Sequence, residues 1–208
     1  MEKTYLINEG QSKINDNIKD FCANIPDINN IEDLVLLDKY FYKYFKRDNS
    51  TPKFSRTVIE IFESKTFSGC SDIGMMMASI LREKGIPTVY VETANVDWLN
   101  KEINNLPGHE IMQGHIFLEI LLGEKWYLYD PTFHVVYDNY DSSNNNYPRR
   151  YYVFAKGENA NSLGVYNSKD ERALAISKLN NYDFNEYVDP NYPEINLKTL
   201  ELVKASVR

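Results

Sequence analysis

Residues 67–87 read FSGCSDIGMMMASILREKGIP and place Cys70 at the entry of a helix. Gly69 permits a sharp turn, Ser71 and Asp72 are first-turn residues, and Ile73, Met76, Met77, Ile80 and Leu81 recur at helical spacing. Gly85 supplies a left-handed C-cap, and Pro87 prevents continuation. A thiol at a helix N-terminus meets unpaired backbone N–H groups and the positive end of the helix dipole, which favours the thiolate. Asp72 opposes that effect with its own negative charge. The Met75-Met76-Met77 run reads as core filling beneath a sheet.

The chain around this helix has 208 residues, enough for one domain with a sizeable core. We expect a single domain over residues 1–208, with a helical N-terminal part (1–66), a core (67–155) and a C-terminal extension (156–208). A hydrophobic fraction of 43% and a charged fraction of 25% are ordinary for a globular protein and argue against a disordered or fibrous class. The formal charge is −7 and the basic residues are scattered, apart from Pro148-Arg149-Arg150, so neither nucleic acid nor an anionic membrane is an expected partner. The start has no basic region followed by an apolar one, and no apolar run approaches a membrane span; the expectation is a cytoplasmic protein. Cys22 and Cys70 allow at most one disulfide and make no paired-cysteine zinc motif, which fits a reducing compartment.

On the N-terminal side, Ile14, Ile18, Phe21 and Cys22 form a helical stripe over residues 12–23, with Cys22 as a small buried apolar residue. Asn29 or Asn30 caps a second helix carrying Leu34, Leu37, Phe41 and Tyr44. Thr51-Pro52 resembles a helix start, giving a third helix over residues 54–64.

After Pro87 the chain turns to strand patterns. TVYVET alternates and is rich in β-branched and aromatic residues. Residues 94–113 read as a long polar connection, a candidate lid or substrate wall that Trp98 packs down. Residues 114–133, GHIFLEILLGEKWYLYDPTF, read as a hairpin turning at Gly123-Glu124. A two-residue loop puts Leu122 opposite Lys125 and places His115, Phe117, Leu128 and Asp130 on one face, with His115 and Asp130 as diagonal neighbours. A four-residue loop keeps that register, whereas a three-residue loop separates the pair. Beyond lie an Asn-rich loop at 138–146, a strand at 151–155, a helix over 169–179 that Ser168 caps, and a terminal helix near 197–204.

Cys70, His115 and Asp130 are the residue types of thiol nucleophilic catalysis: a nucleophile, a base that shares its proton, and a carboxylate that orients the base. Gly69-Cys70-Ser71-Asp72, the helix end Leu81-Arg82-Glu83-Lys84-Gly85-Ile86-Pro87, Gly114-His115-Ile116-Phe117-Leu118-Glu119 and Trp126-Tyr127-Leu128-Tyr129-Asp130-Pro131-Thr132 together resemble the transglutaminase-like superfamily core over residues 57–133. The resemblance implies an α+β fold with a papain-like core, a cysteine-bearing helix packed on an antiparallel β-sheet, and additional N-terminal and C-terminal helices. It also implies Cys70 as nucleophile, His115 as general base and acid, and Asp130 as orienter. The Cys70 backbone N–H is one oxyanion donor by analogy; Tyr40, Tyr42 and Tyr44 are candidates for a second.

His109 and His134 lack such a context and are given surface or loop roles. A zinc site built from His109, His115, His134 and Asp130 is set aside because the histidines lack helix-based ligand spacing. No acidic loop has calcium spacing, so no metal and no cofactor are expected. The expected activity is acyl transfer from a peptide, protein or small amide substrate through a thioester, with water as the preferred acceptor. The alternatives are an amine acceptor and a catalytically idle binding module of the same fold.

Overall fold

In the computed structural model, which describes residues 5–183 and 186–200, polar caps set the helix boundaries. Helix α1 is Asp16–Ala23, not 12–23, because the Asn15 side chain accepts the Ile18 N–H while Gly10–Ser12 forms a separate 3-10 turn. Helix α2, Ile31–Tyr44, starts at Asn30, whose side chain accepts the Asp33 N–H. Strand β1, Lys46–Arg47, follows.

Helix α3 is Val58–Ser64, four residues later than the start read from Thr51-Pro52. Thr57 and Glu60 form a reciprocal capping box, and Phe54 takes φ +62°, which a helix cannot contain. Strand β2, Thr66–Phe67, pairs in parallel with β1.

The Cys70 segment forms helix α4, Cys70–Glu83. At its end Gly85 has φ +78°, with Ile86 N–H bonded to Leu81 O and Gly85 N–H to Arg82 O, the paired bonds of a Schellman motif. Strand β3 is Thr88–Asn95. The connection expected over 94–113 is half helical: Asn95 caps α5, Val96–Ile103, by accepting the Asp97 and Trp98 N–H groups. Trp98 is buried and its indole N–H donates to the His109 carbonyl at 3.1 Å, holding the remaining loop down.

Strands β4, Gly114–Leu122, and β5, Lys125–Asp130, make the expected hairpin around a two-residue turn. The register is Leu122 with Lys125 through Leu118 with Tyr129, and Gly123 adopts φ +63° at the first turn position. Strands β6 (Val135–Tyr137), β7 (Asn146–Tyr147) and β8 (Tyr151–Gly157) follow, then α6, Ser168–Leu179, and β9, Glu194–Asn196. Asn167, rather than Ser168, caps α6. The chain is helical from 197 to 200; the rest of the terminal helix expected near 197–204 lies outside the described residues.

Among the described residues seven strands form one sheet, in the order β7-β8-β3-β4-β5-β6-β9, with every neighbouring pair antiparallel. One face, carrying Tyr90, Ile116, Leu118, Ile120 and Tyr129, shares the main core with α4 and the N-terminal helices. The other carries Val91, Phe117, Leu128, Val135 and Tyr137. This is the expected architecture of a cysteine-bearing helix against an antiparallel sheet. Met75, Met76 and Met77 are all buried in the shared core. Among the described residues no helix is long and apolar enough to cross a membrane.

Helix α4 lies tight against the sheet at Gly74, where a Cβ would fall 2.5 Å from Ile116 Cγ2 and 3.5 Å from Tyr90 Cε2. Gly74→Ala is therefore expected to destabilise the protein. Overpacking of about 1–3 kcal/mol exceeds the gain of about 1 kcal/mol in helix propensity. A fall in the urea midpoint at constant slope checks this.

Candidate active site

The Gly74–Ile116 approach sets the position of Cys70. One helical turn back from Gly74 is the first residue of α4, and two residues back from Ile116 is the start of β4. Cys70 thus stands at the end of the sheet where His115 enters. Its N-cap, Gly69, offers no capping side chain, so the first-turn N–H groups of α4 remain available to a sulfur or oxygen anion.

His115 and Asp130 meet across the hairpin as its register requires. His115 Nε2 lies 2.9 Å from Asp130 Oδ2, and both side chains are buried. Asp130 is itself oriented: its Oδ1 accepts the backbone N–H groups of Thr132 and Phe133, each at 3.1 Å. The imidazole is boxed by Phe117, Phe133 and Tyr151, with ring centroids 4.9, 5.5 and 5.2 Å away. With Nε2 taken by Asp130, the exchange with the Cys70 thiol falls to Nδ1.

The electrostatics of the three are coupled. Burial acts to raise the Cys70 pKa, but the hydrogen bond and charge of His115, with a smaller contribution from Lys53, outweigh it, so the thiol pKa is lowered. Burial acts to lower the His115 pKa, and the bonds and charges of Asp130 and Cys70 outweigh that, raising it to about 10. Both shifts favour a thiolate–imidazolium pair. Cys70 remains half-buried and so open to reagents, whereas Cys22 is buried and its thiol is pushed up to about 12, chiefly by desolvation.

Asp72 does not act against the thiolate as an isolated charge. It is buried, accepts the Ser68 N–H at 2.8 Å and hydroxyl at 2.9 Å, and is ion-paired with Arg56. Arg56 in turn reaches the hydroxyls of Ser64 and Thr66 at 3.2 and 3.0 Å. The network pins the turn before Cys70 to the end of α3.

Of the three tyrosines proposed as oxyanion donors, Tyr40 is exposed and Tyr44 packs on Phe21 and Phe62. Tyr42 stands beside the site, and its hydroxyl donates to the Pro131 carbonyl at 2.9 Å. His134, read as a surface or loop residue, does sit between β5 and β6, but it is buried, packs at a tilt against the Tyr42 ring and pairs with Asp38 at 2.8 Å. The sequence reading missed this pair because Asp38 lies in α2, 96 residues away. His109 stays in the loop after α5. Among the described residues no group of three His, Cys, Asp or Glu is arranged to hold a metal.

Sequence reasoning also missed two acids near Cys70. Glu92 is fully buried in the central strand β3, and Glu171 of α6 is 2% exposed. A carboxyl in a strand buried on both faces was a signal for the first; α6 carries none for the second.

The profile of the transglutaminase-like superfamily matches residues 19–131, a span that holds Cys70, His115 and Asp130 and extends the resemblance back into α1 and α2. No curated protein matches the sequence. Among solved structures, a candidate cysteine protease from Cytophaga hutchinsonii is similar, with a TM-score of 0.54 and 14% identity over 79% of this chain and 49% of that one. The chain thus spans about half the length of that protein, and at this identity the likeness is one of fold.

Proposed function

Because the chain belongs to the transglutaminase-like superfamily, whose members are typically cysteine-dependent enzymes, we propose that it transfers an acyl group from an amide or peptide bond through a thioester on Cys70. The observation that carries this reading is His115, held by Asp130 at 2.9 Å while it lowers the Cys70 pKa.

The Cys70 thiolate attacks the acyl carbon, forming a C–S bond and an oxyanion to which the Cys70 backbone N–H donates. The imidazolium of His115 then gives its proton to the departing amine as the C–N bond breaks. Neutral His115 next removes a proton from water, which attacks the thioester. The C–S bond breaks, the acid leaves, and the thiolate–imidazolium pair returns. Asp130 keeps the ring in one orientation throughout. Tyr42 would have to leave Pro131 to serve as a second oxyanion donor.

The pKa directions predict a pH profile. Alkylation of Cys70 by iodoacetamide is expected to stay fast below pH 8.5, an ordinary thiol pKa, and to fall as the pH drops through the lowered thiol pKa, where the thiolate takes a proton. Turnover, by contrast, is expected to fall again near pH 10, as His115 loses the proton it gives the leaving amine. In His115→Ala the alkylation profile returns to ordinary thiol behaviour. Slow, ordinary labelling in the unmodified protein would falsify the nucleophile assignment and leave an idle binding module. Mass spectrometry against peptide and glutamine-donor libraries identifies the bond and the acceptor.

A further inference from the structure

Beside Cys70 the fold buries two carboxyl groups that the acyl-transfer chemistry does not use. Glu92 is fully buried on the α4 face of β3, opposite Ile116, and the one side-chain hydrogen bond that bears on its carboxyl is that of Tyr90. Tyr90, two residues earlier on the same face, is buried with its hydroxyl turned to that carboxyl. Glu171 arrives from α6. Its Oε1 occupies the place a Cβ on Gly114 would take, only 2.0 Å from that position, which is why the residue before His115 is glycine. Its Oε2 is buried and has no hydrogen-bond partner among the described residues.

Glu171 also lines a cavity of about 300 Å³, with Lys53, Met112, Ser168 and Lys169 among its walls. The charges of Glu171 and Lys53, both on the cavity wall, bear on Cys70 and on Glu92, which lie outside that wall. Buried polar groups are normally satisfied; unsatisfied ones call for a ligand or another partner. Burial raises the pKa of both carboxyls, and Lys53 lowers each of them. A second cation in the cavity would favour the ionised form of Glu171 further. Arg172, also on the cavity wall, is already committed to Glu102 at 2.6 Å.

We propose that this cavity is a cation subsite of the Cys70 site, taking the ammonium or guanidinium of a basic group on the acyl part of the substrate. The inference rests on Cys70 being the nucleophile. The group belongs to the acyl part and not to an attacking amine. An amine held at the Glu171 carboxylate is an ammonium, which has no lone pair to offer the thioester.

The test compares three methanethiosulfonates on the full chain: trimethylammonium-ethyl, sulfonato-ethyl and the neutral methyl reagent. Each rate constant is read at Cys70 by mass spectrometry. The cationic reagent is expected to exceed the anionic one by at least about tenfold in the unmodified protein, as for a charged cleft. Because the thiolate itself contributes to that ratio, the decisive readout is its change. The ratio falls severalfold in Glu171→Gln and in Glu92→Gln, and it rises in Lys53→Met, which alters a half-buried side chain outside the core. If the ratio is unmoved in all three variants, or the sulfonate is preferred, the subsite is refuted.

The neutral reagent separates the two readings. Slow neutral labelling of the unmodified protein overturns Cys70 as nucleophile; fast neutral labelling with a flat charge series overturns only the subsite. If a glutamine variant loses neutral labelling through misfolding, Lys53→Met decides. In the library screen, preferred substrates are expected to carry Lys or Arg on the acyl side. Basic residues confined to the leaving-amine side would count against the subsite.

Discussion

Replacing Cys70 with alanine is expected to lower turnover of any substrate found in the library screen by about 10,000-fold or more, because groups that act as a unit fail together. The expectation follows from the electrostatics. The lowered thiol pKa and the raised His115 pKa describe one shared proton, and without sulfur the imidazole has nothing to activate. Binding should survive, since the side chain is small and half-buried. A loss in kcat with KM nearly unchanged, and disappearance of the acyl-enzyme mass, are the measurements. If Cys70→Ala retained turnover within tenfold of the unmodified protein, the thioester route would be abandoned. Asp130→Asn should weaken turnover nearly as much while leaving the thiol in place, because Asp130 holds the ring through Nε2 and is itself fixed by two backbone N–H groups.

Asp72→Ala is expected to be the largest stability change, about 3–5 kcal/mol, because it leaves the Arg56 guanidinium in a buried site without its counter-charge. The Ser68 N–H and hydroxyl lose their acceptor as well, so the turn that presents Cys70 loosens along with the packing of α3 on α4. Urea unfolding reads the loss. The double variant with Arg56→Met should recover part of it, since the stranded charge is then gone. A loss below about 1 kcal/mol for Asp72→Ala would mean that Arg56 is satisfied by Ser64 and Thr66 alone.

Much of the fold could be read from local pattern. The span of α4 followed from a glycine before it, apolar spacing within it and Gly85 after it, all governed by neighbours four residues apart. The hairpin register followed from a two-residue turn, because side chains alternate with period two and one slip would reverse every face. That is why the pairing of His115 with Asp130 was accessible without coordinates. The errors came where two local signals competed. Thr51-Pro52 and Thr57 both resemble helix starts, and Glu60 decides for Thr57 by completing a capping box. Residues 96–103 looked like loop because their polar face dominates, while Val96, Trp98 and Leu99 turn inward.

By itself, then, the sequence determined the cysteine helix, the hairpin and the residue types of the candidate site, since each depends on periodicity and on turn chemistry within a short stretch. Only the tertiary structure decided what surrounds the sulfur. His115 comes from β4, Lys53 from the segment before α3 and Glu171 from α6, and nothing in their spacing relates them. Their effect on Cys70 depends on distance through a low-dielectric interior, which is a property of the packed chain and not of its order.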